Sequence, residues 1–93
     1  MDIQHEHNSK KGRFFYELDG IQKAEMTYSQ AGTDKIIIDH TEVDESLKGQ
    51  GIGYELVEAS VAYARNHELK IVPLCPFAAA VFKKKSDYSD VLF

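Results

Sequence analysis

Lys48-Gly49-Gln50-Gly51-Ile52-Gly53 sets a glycine at every second position ahead of an amphipathic run that reaches Glu68. Lacking a Cβ, glycine lets main-chain amides approach a ligand closely, and the first amides of a helix have no partner inside the helix. With the helix dipole they form a seat for phosphate oxygens; the same residues also suit a plain tight turn. Two better-known glycine patterns are absent: G-x-x-x-x-G-K-[ST] does not occur, and G-x-G-x-x-G would need glycine where Tyr54 stands. Cys75 precedes Pro76, between an apolar run and a helix start. A helix N-terminus favours a nucleophilic thiolate, while free cysteine is equally a small, inert buried side chain. His40 carries an imidazole, the group that moves protons most readily near neutrality. Simple alternation sets it with Ile36 and Ile38 and makes it a core histidine instead, unless a kink near Thr41 turns it to the other face. Glu42 and Glu45 are acidic neighbours suited to drawing in a cationic amine, or to plain exposure.

The elements that must position these groups follow from periodicity. Arg13 to Asp19 alternates Phe14, Tyr16 and Leu18 with Arg13, Phe15, Glu17 and Asp19, which predicts a half-buried strand. Asp19-Gly20 suits a two-residue hairpin turn. Beyond it Ala24, Met26 and Tyr28 define the buried side of a second strand, and Ala31 to Asp34 supplies the next turn. Lys35 to Val43 holds Ile36-Ile37-Ile38, a β-branched run suited to a strand covered on both faces. After a polar connection, Asp44 to Lys48, the glycine loop leads into a helix with two apolar rows: Ile52, Leu56, Ala59 and Tyr63, beside Gly53, Val57, Ser60 and Ala64. His67 lies near that apolar face and reads as rim-packed or buried. Leu69 to Leu74 is a short strand, parallel to the third because a helix joins them. Pro76 opens a second helix, closed by Lys83-Lys84-Lys85, and Ser86 to Phe93 returns toward the core. The fold class is therefore α/β (α+β): a mixed sheet of an antiparallel three-strand meander plus one parallel strand after a crossover helix, with a second helix after it.

His40-Thr41-Glu42-Val43, then Lys48-x-x-Gly51-x-Gly53, a helix, a strand and Cys75, resembles the GNAT superfamily of N-acetyltransferases, specifically its small single-domain subgroup with a cysteine after the last strand. The resemblance runs from about Ile36 to Phe82. Lys48 stands where the superfamily usually has Gln or Arg, which keeps the charge and loses a planar fork. The resemblance implies a GNAT-like fold with acetyl-CoA (or CoA) as cosubstrate. Pyrophosphate would rest on Lys48, Gly49, Gln50, Gly51, Ile52 and Gly53, with pantetheine along Thr41, Glu42 and Val43. It implies acetyl transfer to an unidentified amine, directly or through Cys75, with His40 as base or orienting residue and Tyr88 as a candidate acid toward the departing thiol. The alternative is a CoA or acyl-CoA binding module without turnover, in which Cys75 and His40 only line the cavity.

Length and composition bound these readings. Ninety-three residues make one domain, 1–93, of which 1–12 is polar and reads as a loose N-terminus. His5 and His7 are spaced to share a strand face, yet no third ligand accompanies them and no metal site is expected. A net charge of −4 argues against nucleic acid as a main partner. One cysteine forms no internal disulfide, Met1 to Arg13 lacks an apolar signal core, and the apolar run Ile71 to Phe82 is too short for a bilayer. A cytoplasmic protein, with no membrane partner and at most a weak dimer, is the expectation.

Overall fold

A computed structural model of the chain describes residues 2–93. Its sheet holds five strands in sequential order: β1 (Gln4–His7), β2 (Lys11–Leu18), β3 (Ile21–Ala31), β4 (Lys35–Val43) and β5 (Lys70–Pro73). The first four are antiparallel, and β5 joins β4 in parallel after helix α1 (Ile52–His67). Helix α2 (Pro76–Lys84) follows with Pro76 in its first turn. The mixed sheet and both helices match the sequence expectation, and the meander gains a fourth strand. Of the tail expected to be loose over residues 1–12, Met1 lies outside the described residues; Gln4–His7 pairs with Gly12–Phe15. Aromatic stacking ordered that strand. The His5 ring lies 4.2 Å from Phe14 and 4.8 Å from His7, edge-on to Tyr63 at 4.6 Å, with Nε2 2.6 Å from Tyr28 Oη. Burial, first among the causes, holds the Tyr28 phenol above its ordinary range, so it stays protonated beside His5.

The core forms between one sheet face and the helices. Met26, Ile36, Ile38 and Phe14 from the sheet meet Ile52, Leu56, Val57, Val61 and Ala64 of α1, with Ala78, Val81 and Phe82 of α2. Each large aliphatic side chain taken fully from water contributes about 1.5–3 kcal/mol. Val61, which fell in neither predicted row, is buried as well, widening the apolar face past the Val57 row. Ser60 is buried too, and its hydroxyl donates to the Val57 carbonyl at 2.6 Å.

Only one face of the sheet is covered by helices, so the expectation that β4 is enclosed on both sides fails at Ile37, which is half-buried. Phe15, expected on the wet side, is nonetheless buried there because the Arg13 guanidinium lies 3.8 Å from its ring centroid. Arg13 in turn pairs with Glu6 and Glu25, each at 3.0 Å. The chain end returns as expected: Val91 is buried, and the Ile71 and Phe93 amides exchange bonds with Val91 and Ile71 carbonyls. No helix among the described residues is long and apolar enough to cross a membrane.

Gly12 has a packing reason for being glycine, since a Cβ there would stand 2.3 Å from the Tyr28 ring. Gly12→Ala should destabilise the protein by about 1–3 kcal/mol in urea unfolding; unchanged stability would mean that Tyr28 is free to move. A pH effect also follows from this cluster. Burial first, then the charges of His7 and His67, depress the His5 pKa below its ordinary 6.5. The folded state thus binds fewer protons than the unfolded state. Stability is full above about pH 6.5 and falls as pH drops from there through the lower folded value. Thermal midpoints measured from pH 7.5 downward should show this loss in the native chain and a smaller one in His5→Gln.

Candidate functional site

β5 runs beside β4 for only four pairs, from Lys35 and Lys70 to Ile38 and Pro73. The chain then turns away, with the amides of Leu74 and Cys75 both donating to the Ile38 carbonyl at 3.0 and 3.1 Å. From Asp39 to Val43, β4 keeps β3 on one side and has no strand on the other. A polar main-chain edge is thereby left for an extended ligand.

β4 also changes register inside this stretch. Thr27 pairs with His40 and Tyr28 with Ile38, which leaves Asp39 as the extra residue of a bulge. The Asp39 carboxylate accepts hydrogen bonds from the Thr27 and Ser29 hydroxyls on the open sheet face. The bulge reverses the alternation that would have made His40 a core residue. His40 and Glu42 turn to solvent, 3.5 Å apart, while Thr41 and Val43 line a cleft of about 590 Å3.

Leu47, Lys48, Gly49, Gly51, Ile52 and Gly53 border the same cleft, as do Tyr54 and Phe77. Gly49 and Gly51 have φ of +83° and +80°, a region open mainly to glycine, and Gly51 caps α1. The amides of Gly49, Gly51, Ile52 and Gly53 donate to no described residue, as expected of a helix start. Two amides of the predicted loop are already bonded. The Lys48 and Gln50 amides are spent inside the loop, on the carbonyls of Glu45 and Leu47 at 3.3 Å each, because Glu45–Leu47 coils into a 3-10 turn. The Lys48 ammonium lies 3.0 Å from Glu45 and stays exposed.

Cys75 is 5% exposed and caps α2 without a side-chain cap bond. Its thiol instead donates across to Thr41 Oγ1 at 3.2 Å. The two catalytic candidates are therefore not brought together: Cys75 lies buried behind Thr41, which lines the cleft, whereas His40 faces the opposite side of β4. Tyr88 packs on Phe82 and approaches Glu58 at 3.4 Å, away from the cleft lining. His67 lies tilted against Tyr63 at 4.4 Å, exposed at the rim. Among the described residues, no three His, Cys, Asp or Glu side chains are grouped to hold a metal ion. Reading the sequence missed the Thr41 hydroxyl as the thiol's partner, and Phe77 as a wall. A helical position one residue past Pro76 carries no periodic signal for the second of these.

A helix start with unbonded amides, set against a strand that has parted from its parallel neighbour, defines an α+β domain with a split mixed sheet. Residues 13–91 match the family model described as GCN5-related N-acetyl-transferase, and the chain belongs to that family. It is 30% identical over 74 residues to Protein NATD1 of Xenopus tropicalis, a match covering 78% of this chain and 68% of that one. An NMR structure of a GCN5-like protein from Staphylococcus aureus superposes with a TM-score of 0.75 at 35% identity, over 97% of this chain and 87% of that one. The aminoglycoside N-acetyltransferase AAC(6')-Iy, solved with CoA, shares the fold at a TM-score of 0.66 and 13% identity, covering 89% and 88% of the two chains.

Gly53 serves packing as well as the loop: a Cβ built there would lie 2.6 Å from the Phe77 ring. Gly53→Ala should therefore destabilise the fold, and Phe77→Ala should relieve that penalty, with a coupling of about 1 kcal/mol or more in a double-mutant cycle. Additive effects would show that the two sites are independent.

Proposed function

We propose that this chain is an acetyl-CoA-dependent N-acetyltransferase that passes an acetyl group to an amine by way of Cys75. The observation that carries the reading is that four residues with unbonded amides and an unpaired strand edge line one cleft, with a thiol bonded to the cleft residue Thr41. The family membership and the CoA seen in its structural relative AAC(6')-Iy support it.

In this reading the amides of Gly49, Gly51, Ile52 and Gly53 hold the pyrophosphate, aided by the α1 dipole. The main chain from Thr41 to Val43 takes the extended pantetheine arm. A free amide on that edge polarises the thioester carbonyl as charge develops on its oxygen. The Cys75 sulfur bonds to the acetyl carbon as the carbon–sulfur bond to CoA breaks, and the thiol proton leaves with CoA. The amine nitrogen next attacks the acetyl-cysteine, forming an amide and returning the Cys75 thiol. An amine that arrives protonated must first lose a proton. His40, with Glu42 beside it on the open face, supplies an acceptor there. The amine thus enters from the face opposite the phosphates.

Three measurements on the intact chain test this. Incubation with acetyl-CoA should yield free CoA and one acetyl group on Cys75 by intact-protein mass; tight CoA binding with neither would leave a binding module. Gly51→Glu should weaken CoA binding in calorimetry by about a hundredfold or more, through bulk and like charge against phosphate. Gly51→Asn, which tolerates positive φ, should bind within several-fold of the native chain. Equal affinity for Gly51→Glu would remove the loop from the site.

A further inference from the structure

We propose that Thr41 is a positioning residue whose hydroxyl sets the orientation and reactivity of the Cys75 thiol, an inference that rests on reading Cys75 as the acetyl acceptor. Its basis is the Asp39 bulge. Without the extra residue, strict alternation from Ile36 and Ile38 would place His40 on the inner face and Thr41 on the outer one. With it, Thr41 lines the cleft and reaches the thiol at 3.2 Å.

The opposite side of this contact is held as firmly. Cys75 is tied to β4 through its amide, which donates to the Ile38 carbonyl, so its Cα is set relative to Thr41 by main-chain bonds. Its side chain does not cap α2, the usual use of a small polar group at that position; it crosses to Thr41. The Thr41 hydroxyl has no other partner among the described residues. Valine would fill the same volume in a strand, so packing alone does not call for the oxygen.

The chemistry of the pair follows from what a hydroxyl offers. It accepts from S–H in the resting protein and, by rotating, donates to a thiolate sulfur. A bond to the charged sulfur is the stronger of the two, so the hydroxyl eases departure of the proton while fixing the direction of the sulfur lone pair. When the sulfur–acetyl bond forms and the carbon–sulfur bond to CoA breaks, the thiol proton ends on the CoA sulfur. Thr41 gains and loses nothing in that exchange. It acts through Cys75 and takes no acyl group itself.

Thr41→Val and Thr41→Ser in the full chain separate the hydroxyl from the shape, with Thr41→Ala as a second deletion should valine impair folding. Two rates are read: single-turnover acetylation of Cys75 by acetyl-CoA, and alkylation of Cys75 by iodoacetamide without CoA. Deleting the hydroxyl should lower both by about tenfold, the size of a lost charge-assisted bond. The loss should fall in the maximal acetylation rate rather than in the acetyl-CoA concentration giving half of it, and Thr41→Ser should restore both. Native rates in Thr41→Val and Thr41→Ala would overturn the proposal, as would serine as slow as valine. If the native chain forms no acetyl-Cys75 while alkylation still depends on the hydroxyl, Thr41 keeps its role and the covalent route in the proposed function falls instead.

Discussion

The parting of β5 from β4 after the pair Ile38 and Pro73 is the constraint on which the rest of the molecule depends. A parallel sheet normally satisfies the main chain on both edges of an inner strand, and four paired residues suffice here to dock α1 and α2 on one face. Beyond them the strand edge is left unpaired from Asp39 to Val43. The Ile38 carbonyl absorbs the amides of Leu74 and Cys75, which anchors the departing chain and sets the start of α2 next to the gap.

The bulge at Asp39 gives that gap its chemistry. One additional residue exchanges the faces of everything after it, so Thr41 and Val43 turn to the cleft and His40 with Glu42 to solvent. Aspartate suits the position because its carboxylate takes up the Thr27 and Ser29 hydroxyls rather than lying over an apolar layer. The thiol and the imidazole are thereby assigned to different sides of one strand. The cleft therefore lies on one side of β4 and the imidazole on the other.

The glycine loop combines two demands that pull on the same short segment. Gly49 and Gly51 adopt positive φ and leave amides unbonded at the head of α1. Gly53 makes room for the Phe77 ring, which joins α2 to α1 at the cleft wall and meets Tyr54 edge-on at 5.9 Å. Unbonded amides and helix contact therefore share three alternating glycines. At the far side of the sheet the His5 ring does comparable work for β1, stacking on Phe14 and reaching Tyr28.

Periodicity by itself determined the strand order of the meander, the apolar stripe of α1 and the proline start of α2, because these depend on neighbours close in sequence, while the family came from the resemblance carried by the motifs around His40, Lys48 and Cys75. Residue type and local sequence marked Cys75 and the loop from Lys48 to Gly53 as places for chemistry. Tertiary structure alone decided which face each side chain of β4 occupies, since a bulge is a property of the pairing between Asp39 and the β3 hydroxyls across the sheet. It decided that Lys48 and Gln50 spend their amides inside a 3-10 turn, that residues 4–7 become an edge strand through ring contacts with Phe14, Tyr28 and Tyr63, and that Thr41 meets Cys75. Each of those joins groups distant along the chain or competes with a local alternative of similar energy. Hydrophobic alternation records burial and carries no information about which distant partner a polar atom finds.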